Sequence, residues 1–209
     1  FLNQQGEAKD FLTQTIKTGV NEEIKRNAQK ILDIYKEFEL VRDGKMEFLQ
    51  AMLAQAFNQI DEPGLAIELA FDALKTQYDY RDVWVILGHA FLNERKWMDA
   101  LDALAKAIDL DSNHPASFFF RGIANKNLDK TDAAISDFEK SLKLGYKPQI
   151  LAKYELAELY FTLKSFEQSF KLYKEVVTSD ASEVDRFVRP IALAINHLKK
   201  PDEALELAN

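Results

Sequence analysis

Small side chains recur along this chain with a long, regular period. One column of small residues has intervals of 34, 34, 35 and 35 residues: Ala66, Ala100, Ala134, Ser169 and Ala204. A second column keeps the same intervals: Ala54, Gly88, Gly122, Ala157 and Ala192. A repeat of this length indicates an array of similar structural units stacked along the chain.

Within one period the apolar positions have helical spacing. The stretch WVILGHAF places apolar or small residues at i, i+3, i+4 and i+7: Trp84, Leu87, Gly88 and Phe91. After the polar segment NERK a second stripe follows: Ala100, Leu104 and Ala107. Because the segment between the stripes is so short, the two helices must fold back antiparallel. Each period is therefore predicted to be a helical hairpin, with the small residues where its helices cross.

This pattern resembles the tetratricopeptide repeat family, whose unit of about 34 residues carries W-x2-L-G-x2-Y followed by A-x3-F. The best copy runs from Trp84 to Ala107, and the resemblance covers about five repeats over residues 47–209. Four residues depart from the pattern: Arg121 and Asn125 in apolar positions, Lys153 in the Trp position and Pro190 early in a first helix. The resemblance implies an all-α fold, a right-handed α-solenoid of antiparallel helical hairpins.

Residues 1–45 fit the repeat less well. They predict a short helix near residues 8–18 and a longer one capped by Asn21, with two glutamates in its first turn. We interpret them as an N-terminal helical pair, either a degenerate repeat or a cap on the stack. The repeat array is then expected over residues 46–209, with an incomplete last repeat.

Three adjacent phenylalanines, Phe118, Phe119 and Phe120, raise the question of which side chains face a partner. Successive helical residues point about 100° apart, so one core-facing stripe cannot contain all three. Phe118 holds the position that Trp84 holds one period earlier, and we assign it to the core. We predict that Phe119 is exposed on a binding surface and that Phe120 lies between this surface and the neighbouring repeat.

A stack of hairpins leaves an extended concave surface, lined mainly by the first helix of each hairpin. Equivalent positions and those one or two turns later predict an apolar and aromatic groove: Val85, His89, Leu92, Phe119, Phe120, Ile123, Tyr154, Glu158 and Phe161. The alternative, that neighbouring repeats cover such side chains and complete the core, stays open for Ile86, Phe120 and Ile123.

A polar series ends the first helices: Gln59, Asn93, Asn127, Thr162 and His197. In one interpretation these side chains hydrogen-bond the backbone of a bound peptide. In the other they are helix C-terminal residues that tolerate a left-handed backbone.

Composition narrows the classes of partner. The 209 residues include 34 acidic and 27 basic ones, a formal net charge of −7, and no long basic run, so no nucleic-acid partner is expected. The absence of cysteine excludes disulfides, thiolate metal sites and cysteine nucleophiles. No apolar run approaches the roughly 20 residues that cross a bilayer, which predicts a soluble chain without direct membrane insertion.

Catalysis has little support in the sequence. The histidines His89, His114 and His197 fall in different repeats, without the spacing of a metal motif. No glycine-rich phosphate loop or nucleophile elbow is present. We therefore expect no catalytic residue, no metal and no cofactor.

These observations predict a noncatalytic scaffold that binds a protein, as a peptide or an amphipathic helix, in the apolar and aromatic groove. Two alternatives stay open: an accessory domain of a larger enzyme or of an envelope or secretion machine, and a self-assembly module that forms a homo-oligomer. Both ends of the sequence look cut, so a membrane tether or second domain in a missing segment stays open, as does the compartment.

Overall fold

The computed structural model describes residues 2–19, 21–40, 45–179, 190 and 192–203. These residues form ten α-helices and a π-helical segment, Ala194–Leu198, and within them the chain contains no β-strand. The helices are α1 (Leu2–Thr18), α2 (Glu22–Leu40), α3 (Met46–Gln59), α4 (Pro63–Thr76), α5 (Arg81–Asn93), α6 (Trp97–Leu110), α7 (Pro115–Asn127), α8 (Thr131–Lys143), α9 (Gln149–Thr162) and α10 (Phe166–Ser179).

Consecutive helices pack in pairs, α1 with α2, α3 with α4, α5 with α6, α7 with α8 and α9 with α10. The predicted all-α fold of sequential hairpins is confirmed. The chain divides into two compact units, Phe1–Leu110 (unit 1, α1 to α6) and Asp111–Asn209 (unit 2, α7 to α10 and the π-helical segment).

The N-terminal pair begins unit 1. Helix α1 starts at Leu2, earlier than the sequence suggests, and α2 packs against α3. The predicted cap is confirmed, because the Glu23 backbone N–H donates to Asn21 Oδ1 at 2.7 Å. The division between a separate pair and the array at residue 45 stays a prediction.

Small residues let the two helices of each hairpin approach closely. Ala66, Ala100, Ala134 and Ser169 are fully buried. A Cβ atom on Gly88 would lie 2.5 Å from Leu104 Cγ, and one on Gly122 would lie 2.8 Å from Phe138 Cε1. The predicted helix crossings are therefore confirmed in these repeats. In the fifth period, Ala192 is exposed and Ala204 lies outside the described residues.

A left-handed residue ends the turn after each first helix. Five non-glycine residues with φ between 57° and 62° follow the intervals of the small columns: Asp61, Arg95, Asp129, Lys164 and Lys199. Around Arg95, the Lys96 N–H donates to the Phe91 carbonyl at 2.8 Å and the Arg95 N–H to the Leu92 carbonyl at 2.9 Å, which is the Schellman motif. The polar series does supply the last residue of α3, α5, α7 and α9, but the left-handed backbone that was expected there lies two residues later.

The third repeat replaces apolar contacts by a polar network. Asp137, 4% exposed, accepts from Arg121 Nε at 2.9 Å and Nη2 at 2.6 Å, and from Asn125 Nδ2 at 2.9 Å. One period earlier the equivalent residues are Leu87, Phe91 and Ala103. The departures at Arg121 and Asn125 are thus explained by Asp137 on the facing helix. The last departure, Pro190, is buried, but the residues before it lie outside the described part of the chain.

Candidate partner-binding surface

Phe118 is buried as predicted, but the expectation that Phe119 is exposed is wrong. Each residue is 7% exposed. The Phe119 ring stacks on Tyr146 with 4.2 Å between ring centroids and lies 5.7 Å from the Phe138 ring. Tyr146 belongs to the connection between α8 and α9, so the start of the next repeat covers the side of α7 that the helical geometry leaves open. Burial also raises the pKa of Tyr146 to about 12.

Val85 and Leu92 are also buried, both 7% exposed, which contradicts their assignment to an open groove. Their repeat equivalents are Ala51 and Asn58, one period earlier in the chain. Those two residues are also buried, and Asn58 Nδ2 donates to the Ile86 carbonyl of α5 at 3.1 Å. At these positions of α3 the contact comes from α5, the next first helix. The geometry of α3 alone does not reveal it.

Five predicted residues remain half-buried in unit 2. We call them the first-helix surface; they are Phe120 and Ile123 of α7 and Tyr154, Glu158 and Phe161 of α9. Their inner parts pack on the core, as when the Phe120 ring meets the Phe119 ring edge to face at 5.5 Å. Their outer parts are accessible, so this surface offers apolar and aromatic area beside polar groups.

Charged side chains join the two helices of this surface. Lys126 Nζ of α7 and Glu155 Oε2 of α9 form an ion pair at 2.6 Å, and both side chains are half-buried. Glu158 accepts a hydrogen bond from the Tyr173 hydroxyl of α10. This ion pair is not among the predicted site residues, although Lys126 and Glu155 are the repeat equivalents of Leu92 and Phe120.

An aromatic cluster extends the α9 end of the surface. The His197 ring stacks on Phe166 at 4.2 Å and meets Phe161 edge to face at 6.2 Å. The repeat pattern places His197 in the polar series and does not indicate Phe166 as a site residue. Their contact depends on the packing of the π-helical segment, and no local spacing could have indicated it.

Side chains of the polar series donate hydrogen bonds within their own helix or to the preceding first helix. Asn127 Nδ2 donates to the Ile123 carbonyl at 2.8 Å, and Thr162 Oγ1 donates to the Glu158 carbonyl at 3.0 Å. In unit 1, Asn93 Nδ2 donates to Asn58 Oδ1 at 3.0 Å. These donors serve the fold, and all three side chains are still exposed.

Comparison with known proteins agrees with this architecture. A family model described as "Tetratricopeptide repeat" matches residues 151–183. The chain is also similar to the solved structure of PilF from Pseudomonas aeruginosa, with a TM-score of 0.71, 22% identity and coverage of 98% of this chain and 90% of that one. The chain therefore contains a tetratricopeptide repeat at residues 151–183, and over most of its length it has the fold of the solved structure that it resembles. Domains of this family are generally protein-interaction modules.

Two curated relatives align with part of this chain. Serine/threonine-protein phosphatase T of Trypanosoma brucei brucei is 34% identical over 127 residues, which are 56% of this chain and 26% of the relative. Anaphase-promoting complex subunit 7 of Homo sapiens is 28% identical over 149 residues, which are 70% of this chain and 23% of the relative. The chain therefore spans about a quarter of the length of these relatives.

His89, the remaining predicted groove residue, lies on the second tetratricopeptide-like hairpin, in unit 1. It is half-buried, and burial lowers its pKa below the ordinary value of 6.5. The ring is therefore neutral at pH 7.

Among the described residues, no group of three or more histidine or carboxylate side chains is placed to hold a metal ion. Within the same residues, no helix is both long and apolar enough to cross a bilayer.

Proposed function

We propose that this protein is a noncatalytic scaffold that binds a peptide or an amphipathic helix of another protein on the first-helix surface of unit 2. The observation that supports this is the half-buried apolar and aromatic series Phe120, Ile123, Tyr154 and Phe161 on two consecutive first helices. Amphipathic helices and extended peptides bind to grooves of this kind through a few apolar side chains spaced along the ligand.

The polar groups of the surface favour an oriented ligand. The Lys126–Glu155 ion pair and the Glu158 carboxylate lie among the apolar side chains, where a ligand excludes water and strengthens their hydrogen bonds. A ligand with one apolar stripe and a few polar groups fits this arrangement better than a uniformly apolar one.

Photo-crosslinking tests the location of binding. A photoreactive phenylalanine analogue replaces Phe120 in one variant and the exposed Met98 of α6 in the control variant. We expect a partner from the source cells to be captured covalently at position 120 and not at position 98. Equal capture at both positions would place the binding site elsewhere.

Charge substitution tests whether the same surface is required. Ile123→Glu with Tyr154→Glu introduces two carboxylates on the first-helix surface, whereas Met98→Glu introduces one at an exposed apolar position outside it. Affinity capture should lose the partner with the double variant and retain it with the control. Thermal unfolding of each variant shows whether it is folded, and retention of the partner by a folded double variant would contradict the proposal.

A second candidate role is that of an interaction domain within a larger protein. The two curated relatives favour it, because this chain spans only about a quarter of each. Immunoblotting of the endogenous protein measures its size, and a product of about this chain's mass would count against the larger protein.

The third alternative is self-assembly. A molecular mass of this chain in solution that rises with protein concentration would support it.

A further inference from the structure

Unit 1 contains a pocket between α4, α5 and α6 that the first-helix surface does not use. Its volume is about 540 Å³, within the roughly 300–1,000 Å³ of small-ligand pockets. Trp84, Leu87 and Phe91 of α5 and Phe71 of α4 supply apolar lining, and α6 supplies the polar side. All of its lining residues lie in unit 1.

One of the residues that line the pocket is small. Ala103 of α6 lines it, and the equivalent positions of other repeats hold Leu69, Asp137 and Leu172. In the third repeat the equivalent position is held by Asp137 of the polar network described above. The second repeat lacks a large side chain at this position, and the rings of α5 stay accessible.

The aromatic rings of the pocket are suited to an apolar side chain. Phe71 is 45% exposed and meets the Phe91 ring edge to face at 6.4 Å. The indole N–H of Trp84 already donates to the Tyr78 carbonyl at 2.8 Å. A ligand side chain that covers these rings therefore buries apolar area, and it does not have to accept a hydrogen bond from the indole N–H.

The α6 side of the pocket is acidic. Asp99, Asp102 and Asp109 line it and are exposed, and Lys106 is the one cation among its lining residues. None of the three carboxylates makes a hydrogen bond or an ion pair with another described residue. Unpaired carboxylates beside an apolar pocket attract cationic groups and repel anionic ones.

We propose that this pocket binds a segment of a partner protein that inserts one large apolar side chain and flanks it with lysine or arginine. The apolar side chain covers the rings of α4 and α5, and its cationic neighbours pair with the carboxylates of α6. This binding site is separate from the first-helix surface of unit 2, with which it shares no residue.

Three fluorescein-labelled peptides serve as probes, and fluorescence anisotropy measures their dissociation constants. The first carries one tryptophan flanked on both sides by lysine and arginine, the second has alanine in place of tryptophan, and the third has glutamate in place of each basic residue. We expect the first to bind at least about tenfold more tightly than the second. The third should not bind.

Two variants test the two chemical features of the pocket. Ala103→Leu narrows it with the residue that the first and fourth repeats carry, and Asp99→Lys with Asp102→Lys reverses its charge. The matched control is Glu7→Lys with Asp10→Lys on α1, which reverses two exposed carboxylates with the same i, i+3 spacing. Both pocket variants should weaken binding by about tenfold or more, and the control should change it by less than about twofold.

The indole N–H resonances in a ¹⁵N correlation spectrum locate the probe on the native chain. The Trp84 resonance should shift on binding, whereas that of Trp97, which does not line the pocket, should not.

The proposal is overturned if the first probe does not bind at about 1 mM, if the alanine probe binds as tightly, or if the control variant loses as much affinity as the charge-reversed pocket. Unchanged binding by the charge-reversed pocket would also overturn it. Ile123→Glu with Tyr154→Glu should leave probe binding intact, so failure at the first-helix surface and failure at the pocket are distinguishable.

Discussion

The Phe119 ring is held by aromatic neighbours from three places in unit 2. Phe120 is the next residue on α7, Phe138 belongs to α8, and Tyr146 lies in the connection that precedes α9. Such contacts contribute beyond the apolar area that they bury. The ring is therefore a structural element of the third and fourth repeats.

Replacing Phe119 by alanine should cost about 3–5 kcal/mol of unfolding free energy, because it empties a packed aromatic site. Urea denaturation of the native chain and the variant measures the difference. Phe120→Ala is the matched control and should cost clearly less, since that ring is half-buried. A change of only about 0.5 kcal/mol for Phe119→Ala would mean that the ring is exposed after all.

Single residues of the turns carry strain that glycine would relieve. At the end of α5, the non-glycine residue Arg95 has φ 59°, a backbone region that L side chains disfavour. Arg95→Gly should therefore raise the unfolding free energy by about 0.5–1 kcal/mol, after the larger backbone entropy of glycine in the unfolded chain is subtracted. Chemical denaturation shows whether the unfolding free energy rises or falls.

The control for this substitution places glycine within a regular helix. Ala105→Gly on α6 occupies an exposed helical position and should lower stability by about 1 kcal/mol. If Arg95→Gly lowers stability as well, the left-handed turn does not carry the expected strain.

At the scale of the elements, α7 and α8 are joined by a polar network in place of apolar contacts. Asp137 is surrounded by Arg121 and Asn125, and the three residues satisfy one another. Removing one partner of such a network leaves the others buried without compensation, whereas replacing all of them by apolar side chains is often neutral. The network therefore explains how two polar residues occupy apolar positions of the repeat.

Asp137→Ala should lower the unfolding free energy by about 3 kcal/mol, because Arg121 and Asn125 lose their common acceptor. A triple variant that copies the fourth repeat, Arg121→Leu, Asn125→Tyr and Asp137→Leu, should be about as stable as the native chain. Urea denaturation compares the two variants. A triple variant that is as unstable as Asp137→Ala would show that the cost does not come from the broken network.

At the scale of the whole molecule, the same repeat offers different surfaces in the two units. The third and fourth repeats present aromatic area on their first helices, and the second repeat presents an acidic pocket beside its second helix. The repeats differ at equivalent positions, such as Ala103 of the second repeat and Asp137 of the third. Repeat proteins vary in function in this way while the fold is kept.

Much of the fold could be predicted, but less of the candidate site. Gly88 and Gly122 identified the helix crossings, because the space they leave is needed within one hairpin. Phe119, Val85 and Leu92 were assigned to the groove from the geometry of a single helix, and all three are buried. The geometry of one helix gives the direction in which a side chain points. It does not show which other helix or connection packs against that side chain.

The sequence by itself determined the period, the hairpins and the small residues at their crossings, because these depend on helical spacing and side-chain volume inside one repeat. Only the tertiary structure decided which first-helix residues stay accessible, as when Tyr146 covers Phe119. It also decided that a pocket lies between α4, α5 and α6 and that His197 meets Phe166. These outcomes depend on contacts between residues from different helices and connections, which no local spacing encodes.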